Sequence, residues 1–187
     1  MIEDFKTISK KVMPGGKVML RPLEKSDLDR SLKWLTDPLV NKYLSHNFRD
    51  LTASQEEQWF DYIKDSHQDM VFAVLDSTTE NHIGNCALHK IDYRKKTCEM
   101  GIVIGEKDYW DRGYGTDAVK VLVGFAIENL KLLKVWLNVY TYNHRAIKVY
   151  ENCGFKLVRV LKRNHLYNGK YWDTLVMEYT GKPPDIY

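Results

Sequence analysis

Gly113 and Gly115 lie within Trp110-Asp111-Arg112-Gly113-Tyr114-Gly115-Thr116, where an apolar stretch, Met100-Gly101-Ile102-Val103-Ile104, has given way to a helical pattern. Glycines at alternate positions let the backbone pass close to a ligand with no Cβ in the way. The helix N-terminus that follows offers unpaired N–H groups and the positive end of a dipole, which suits a phosphate or pyrophosphate. The turn from Arg112 to Thr116 is therefore read as the seat of a phosphate-bearing cofactor. Further on, Asn143-His144-Arg145-Ala146-Ile147-Lys148-Val149-Tyr150 reads as a second helix, followed by Gly154-Phe155. Asn143 is a good helix cap. Tyr150, close to two turns later, projects to about the same face. Its phenol has an ordinary pKa near ~10 and stays protonated at neutral pH.

Two dinucleotide motifs do not fit. A Rossmann turn has Gly or Ala three residues after its second glycine, a place Ala118 fills, but it also needs an acid about 20 residues on, at the end of the next strand. That strand, Lys134 to Val139, ends in Asn138-Val139-Tyr140. A Walker loop needs Gly-Lys-Ser/Thr, and the chain has Gly115-Thr116-Asp117.

The order strand, Gly-x-Gly helix, strand, Asn-x-x-Ala-x-x-x-Tyr and Gly-Phe resembles the acetyl-CoA-binding core of the GNAT superfamily of N-acetyltransferases. The resemblance runs from Val18 to Tyr179. It is nearest to the branch that acetylates the N-terminal amines of ribosomal proteins, with the related spermidine and antibiotic acetyltransferases. The superfamily often places Gln or Arg three residues before the first glycine, where this chain has Trp110.

The resemblance implies an enzyme that moves acetyl from acetyl-CoA to a primary amine and uses no metal. It implies that the strand matching Ile102, Val103 and Ile104 splays from its neighbour and pairs with the pantetheine arm, its amides stabilising the oxyanion. Trp110, Asp111, Arg112, Gly113, Tyr114, Gly115 and Thr116 form the phosphate cradle. Asn138, Asn143 and Ala146 join the cofactor-binding set, and Tyr150 protonates the departing thiolate. Many superfamily members carry a basic Glu where this chain has Asn138, which takes no proton, so Glu99, on the strand leading to the cofactor, is the candidate base. His46, His67 and His89 titrate in the right range, although a lone histidine is more often structural or exposed.

Resemblance to the ribosomal branch favours a peptide or protein N-terminal amine. A polyamine is the alternative, supported by Glu57, Asp61 and Asp65 recurring along one helical face, a pattern that more often marks a solvated surface. An aminosugar or antibiotic amine stays open, as does a CoA-binding module without turnover on the same fold. Acceptor walls are expected around Trp34 to His46 and in the Leu166 to Trp172 hairpin; the alternative for Trp34 and Trp172 is a place in the core.

These groups need a scaffold. At 187 residues one domain is expected over 1–187, with a loose lead-in over 1–17 and a frayed tail over 181–187. Net charge is +3 with no long basic run, which argues against a nucleic-acid partner. No stretch approaches the ~18 apolar residues of a membrane span. Residues 1–5 carry acids where a signal peptide needs bases, so the protein is expected in the cytoplasm, as a monomer or homodimer. Cys86, Cys98 and Cys153 show neither disulfide nor metal spacing, and three free thiols are expected.

Strands are expected over Val18–Leu23, Met70–Leu75, His82–Asp92, Thr97–Ile104, Lys134–Val139, Phe155–Leu161 and Tyr171–Tyr179. Asn168-Gly169 is a hairpin signal. Helices are expected over Asp27–Thr36 with Ser26 as cap, over Leu39–Leu44, and after Thr52-x-x-Gln55, a capping box, with Trp59, Tyr62 and Ile63 inward. The fold class is mixed α/β: a mostly antiparallel sheet of about seven strands with helices on both faces.

Overall fold

The computed structural model describes residues 8 and 10–181. Most of the expected lead-in up to Ser9, and the tail after Gly181, lie outside them. In chain order the elements are β1 (Met13–Pro14), β2 (Val18–Pro22), a 3-10 turn (Lys25–Asp27), α1 (Leu28–Thr36), α2 (Pro38–Asn41), α3 (Ala53–Lys64), β3 (Met70–Asp76), β4 (His82–Asp92) and β5 (Thr97–Ile104). A second 3-10 turn (Lys107–Tyr109) leads to α4 (Tyr114–Glu128), β6 (Lys134–Tyr140), α5 (His144–Asn152), β7 (Lys156–Tyr167) and β8 (Lys170–Thr180).

The strands form one sheet in the order β1-β2-β3-β4-β5-β6-β8-β7. Every pairing is antiparallel except β5 with β6. This is the mixed α/β fold expected, with one strand more than the pattern showed. The extra strand, Met13–Pro14, falls in the expected lead-in and pairs with Leu20 and Met19. Two residues are too short to show a period of two.

Asn168 and Gly169, both at positive φ, turn β7 into β8 as the Asn-Gly signal implies. Both strands extend beyond their expected limits. Thr52 and Gln55 form the expected capping box: the amide of Gln55 donates to Thr52 Oγ1, and the amide of Thr52 to Gln55 Oε1. Two helical expectations are corrected. The turn before α1 is capped at Glu24 rather than Ser26, with the Glu24 amide donating to Asp27. In α3 Tyr62 faces solvent at 68% exposure, while Glu56, at 4%, is buried. Glu56, Trp59, Phe60 and Ile63 share the inner stripe at i, i+3, i+4 and i+7.

The pleat sorts the sheet into two faces. Phe72 and Val74 of β3, Cys86 of β4, Cys98 and Met100 of β5, and Val135, Leu137 and Val139 of β6 belong to the core with α4 and α5. Phe72 meets Phe125 of α4 edge to face at 5.6 Å. On the opposite face Asn85 of β4 donates to Ser31 of α1, and Arg30 of α1 donates to the His82 carbonyl. All three cysteines are buried and unpaired, as expected.

Candidate active site

The parallel pair in the sheet, β5 with β6, comes apart. Thr97, Cys98 and Glu99 of β5 pair with Lys134, Val135 and Trp136 of β6, and pairing stops there. β5 runs on to Ile104 and β6 to Tyr140 without further ladder bonds between them. Beyond Glu99 the outer edge of β5 therefore carries backbone groups without partners on β6, which an extended ligand can satisfy.

A cavity of about 970 Å³ fills the gap. Its wall includes Ile102, Val103 and Ile104 of β5, Trp110, Asp111, Gly113, Gly115 and Thr116 of the turn, Asn138 of β6, Asn143, Ala146 and Tyr150 of α5, and Glu99. The structure thus gathers the expected cofactor-binding and catalytic residues, save two. Arg112 and Tyr114 are not in the wall. The Arg112 guanidinium lies over the rings of Tyr109 and Tyr114, and the Tyr114 hydroxyl donates to Asp76 at 3.1 Å.

Gly113 is the N-cap of α4 at φ 86°, a left-handed conformation that favours glycine. The Asp117 amide is the first to bond back into the helix, to the Gly113 carbonyl at 3.0 Å. The amides of Tyr114, Gly115 and Thr116 thus open the helix without such a bond. A Cβ built at Gly115 meets only Ile104 Cγ1, at 3.7 Å, so the side of the turn facing β5 is bare.

Positive charge surrounds this helix end. Arg145 and Lys148 of α5 line the cavity. The Arg145 guanidinium sits 3.9 Å from the Trp110 ring centre, and the Trp110 indole N–H donates to the Ile104 carbonyl at 2.7 Å. Trp110, standing where Gln or Arg is frequent, thus braces the end of β5 and stacks a cation from α5. Lys17, which the sequence reading passed over, runs alongside Gly113. Asp117, nearly buried, accepts from the amides of Lys17 and Val18 at 2.7 and 3.0 Å, tying the first turn of α4 to β2 across some hundred residues.

In α5 Asn143 is the N-cap, its side chain accepting from the Ala146 amide at 3.3 Å. Gly154, at φ 89°, closes the other end: its amide donates to the Glu151 carbonyl, and that of Phe155 to the Tyr150 carbonyl. Tyr150 is 8% exposed, and burial raises its phenol pKa above the ordinary value, so it stays protonated. Its hydroxyl has no hydrogen-bond partner among the described residues, and the residue lines the cavity.

Glu99 lies on the other face, opposite His89 of β4. Its carboxylate accepts from Lys90 at 2.6 Å and from Asn138 at 3.4 Å. Val40, Tyr43, Leu44 and Ser45, within the segment Trp34–His46 expected to wall the acceptor, line the cavity, as do Leu161, Asn164 and Thr174. The expected Leu166–Trp172 hairpin is displaced by these earlier and later parts of β7 and β8. Trp34 is buried against His82 and donates to Glu106, and Trp172 packs edge-on against Tyr142. Neither lines the cavity. Glu57 pairs with Lys25 and Asp61 with Lys64, and the acidic α3 face stays outside it. Of the three histidines considered, His89 alone lines it.

Comparison with known proteins agrees with this geometry. The family described as Acetyltransferase (GNAT) domain matches residues 17–156. The chain belongs to the GNAT acetyltransferase family; it is an N-acetyltransferase, with acetyl-CoA as donor. An uncharacterized N-acetyltransferase, p20 of Bacillus licheniformis, is 25% identical over 172 residues, covering 88% of this chain and 96% of that protein. The spermidine N(1)-acetyltransferase of Vibrio cholerae is 27% identical over 159 residues, covering 85% and 90%. A crystal structure of a Vibrio cholerae spermidine N-acetyltransferase in complex with CoA and spermine superposes with a TM-score of 0.81 at 24% identity, covering 88% of this chain and 95% of that one. That likeness concerns the fold. The relatives do not single out the ribosomal-protein branch. No helix among the described residues is long and apolar enough to cross a membrane.

Proposed function

We propose that the cavity transfers acetyl from acetyl-CoA to a primary amine of the polyamine type. The observation that carries the transfer chemistry is the parting of β5 and β6 after Glu99, which joins the two sheet faces through one cavity. The amides of Gly113 to Thr116 take the pyrophosphate, helped by Arg145, Lys148 and the helix dipole. Backbone groups of Ile102 to Ile104 hold the pantetheine arm, and an amide there stabilises the tetrahedral oxyanion. Asn143 serves as helix cap and as a contact for the arm. Tyr150 gives its proton to the thiolate as the C–S bond breaks.

The polyamine reading rests on the spermidine acetyltransferases among the relatives and on the acceptor side of the wall. Glu99, shared with Lys90, supplies a carboxylate there, and Tyr43, whose ring already attracts Lys42 and Arg145, presents aromatic surface. A second reading, a peptide N-terminal amine, is favoured by one observation. The other carboxylate of the wall, Asp111, lies on the cofactor turn, leaving Glu99 alone to meet the several charges of a polyamine. The test is thiol release from acetyl-CoA with spermidine, spermine, short peptides, aminosugars and aminoglycosides. Release with polyamines is expected. Release with peptides alone supports the second reading, and CoA binding with no release supports a module without turnover.

A further inference from the structure

We propose that His89, held by Asp69, accepts the proton from the attacking amine. The proposal rests on the acetyl-transfer reading and names a base that the family match does not. His89 Nδ1 lies 2.7 Å from Asp69 Oδ1. An ionised carboxylate only accepts hydrogen bonds, so Nδ1 carries a proton toward Asp69, and in the neutral imidazole Nε2 is the nitrogen with the lone pair. Asp69 is itself fixed, its other oxygen accepting from Ser66 Oγ at 2.7 Å. A carboxylate that sets the tautomer and orientation of an imidazole is the arrangement a general base needs.

Position agrees. His89 and Glu99 are directly opposed across β4 and β5, and residues opposed across two strands share a face. Asn138 reaches Glu99, so β6 presents Asn138 and Tyr140 on that face too. Tyr150 enters the cavity from α5, packed with the core on the other face. Donor and acceptor of protons thus stand on opposite sides of the parted strands, as the entering amine and departing thiol require.

Glu99 fits the base role less well. Lys90 occupies one of its oxygens at 2.6 Å, and Asn138 approaches the other. His89 Nε2 has no hydrogen-bond partner among the described residues, and His89 lines the cavity. The charged groups facing the imidazole are Asp69 from the segment before β3, Glu99 from β5, and Lys90 beside it, neutralised by Glu99. The steps balance. The ammonium gives one proton to His89 Nε2. The free amine forms the C–N bond at the thioester carbonyl, and the C–S bond breaks with Tyr150 protonating sulfur. The surplus proton of the acylated nitrogen returns to Tyr150 through solvent, leaving the amide N–H, and His89 releases its proton to water.

The test is the pH profile of kcat/KM with spermidine as probe, for wild type, His89→Gln and Asp69→Asn. His89→Gln should lower the rate at pH 7 about 10²-fold, leave KM for acetyl-CoA unchanged, and replace a levelling profile with a rate that keeps climbing with pH. Asp69→Asn should give the same change of profile with a smaller loss, and it serves as the readout if His89→Gln does not fold. Variant profiles parallel to wild type would overturn the role of His89. Absence of thiol release by wild type with any amine would overturn the acetyl-transfer reading, and this assignment with it.

Discussion

Phe155 holds Tyr150 at both ends: its amide donates to the Tyr150 carbonyl at 3.0 Å, and its ring centre lies 5.9 Å from that of Tyr150. The left-handed Gly154 between them makes this possible. The phenol is therefore aimed by backbone and packing, and deleting its oxygen leaves those contacts in place. Tyr150→Phe should keep acetyl-CoA affinity and melting temperature, and lower kcat at least tenfold. Wild-type kcat at saturating substrates, with chemistry rate-limiting, would reduce Tyr150 to a packing residue.

Gly115 faces Ile104 across the turn before α4, with ordinary contact distance for an added Cβ. Gly115→Val should therefore fold but place its methyl groups where the pyrophosphate approaches. Calorimetry should show acetyl-CoA affinity at least tenfold weaker. Unchanged affinity would remove the pyrophosphate from this turn.

The local parts of this account were legible in the chain. Asn168-Gly169, the Thr52–Gln55 box, the Asn143 cap and Gly154 each act within a few residues, so spacing alone reveals them. The glycine turn of the cavity wall was legible for the same reason, with Gly113 and Gly115 two residues apart. What sequence could not show depends on distant partners. The end of the β5–β6 ladder at Glu99 leaves no local mark, and only the family resemblance implied the splay at Ile102 to Ile104. Asp117 reads as an ordinary first-turn acid until it meets the amides of Lys17 and Val18. His89 reads as a lone histidine until Asp69, 20 residues earlier, is beside it. In α3 the apolar residues fit two neighbouring stripes, and tertiary packing chose the one that buries Glu56 over the one that buries Tyr62.

That choice has a consequence for stability. Burial raises the Glu56 pKa from 4.5 to about 6. Between these values the folded state holds the proton more tightly than the unfolded chain, so Glu56 makes stability fall as pH rises from 4.5 to 6 and leaves it lower above. Glu56→Gln removes this penalty. It should gain about 1 kcal/mol at pH 7 by denaturant unfolding, with the gain shrinking toward zero at pH 4. An equal effect at both pH values would mean that ionisation of Glu56 is not the cause.

The central claim is that the gap beside Glu99 joins acetyl-CoA to a polyamine-type amine. The most direct measurement is a competition in one tube: wild-type protein, limiting acetyl-CoA, and spermidine with an equimolar short peptide bearing a free N-terminus, the products read by mass spectrometry. The account predicts acetylspermidine as the main product, formed in step with free CoA. Acetylated peptide with unmodified spermidine, or bound CoA with neither amine modified, would contradict it.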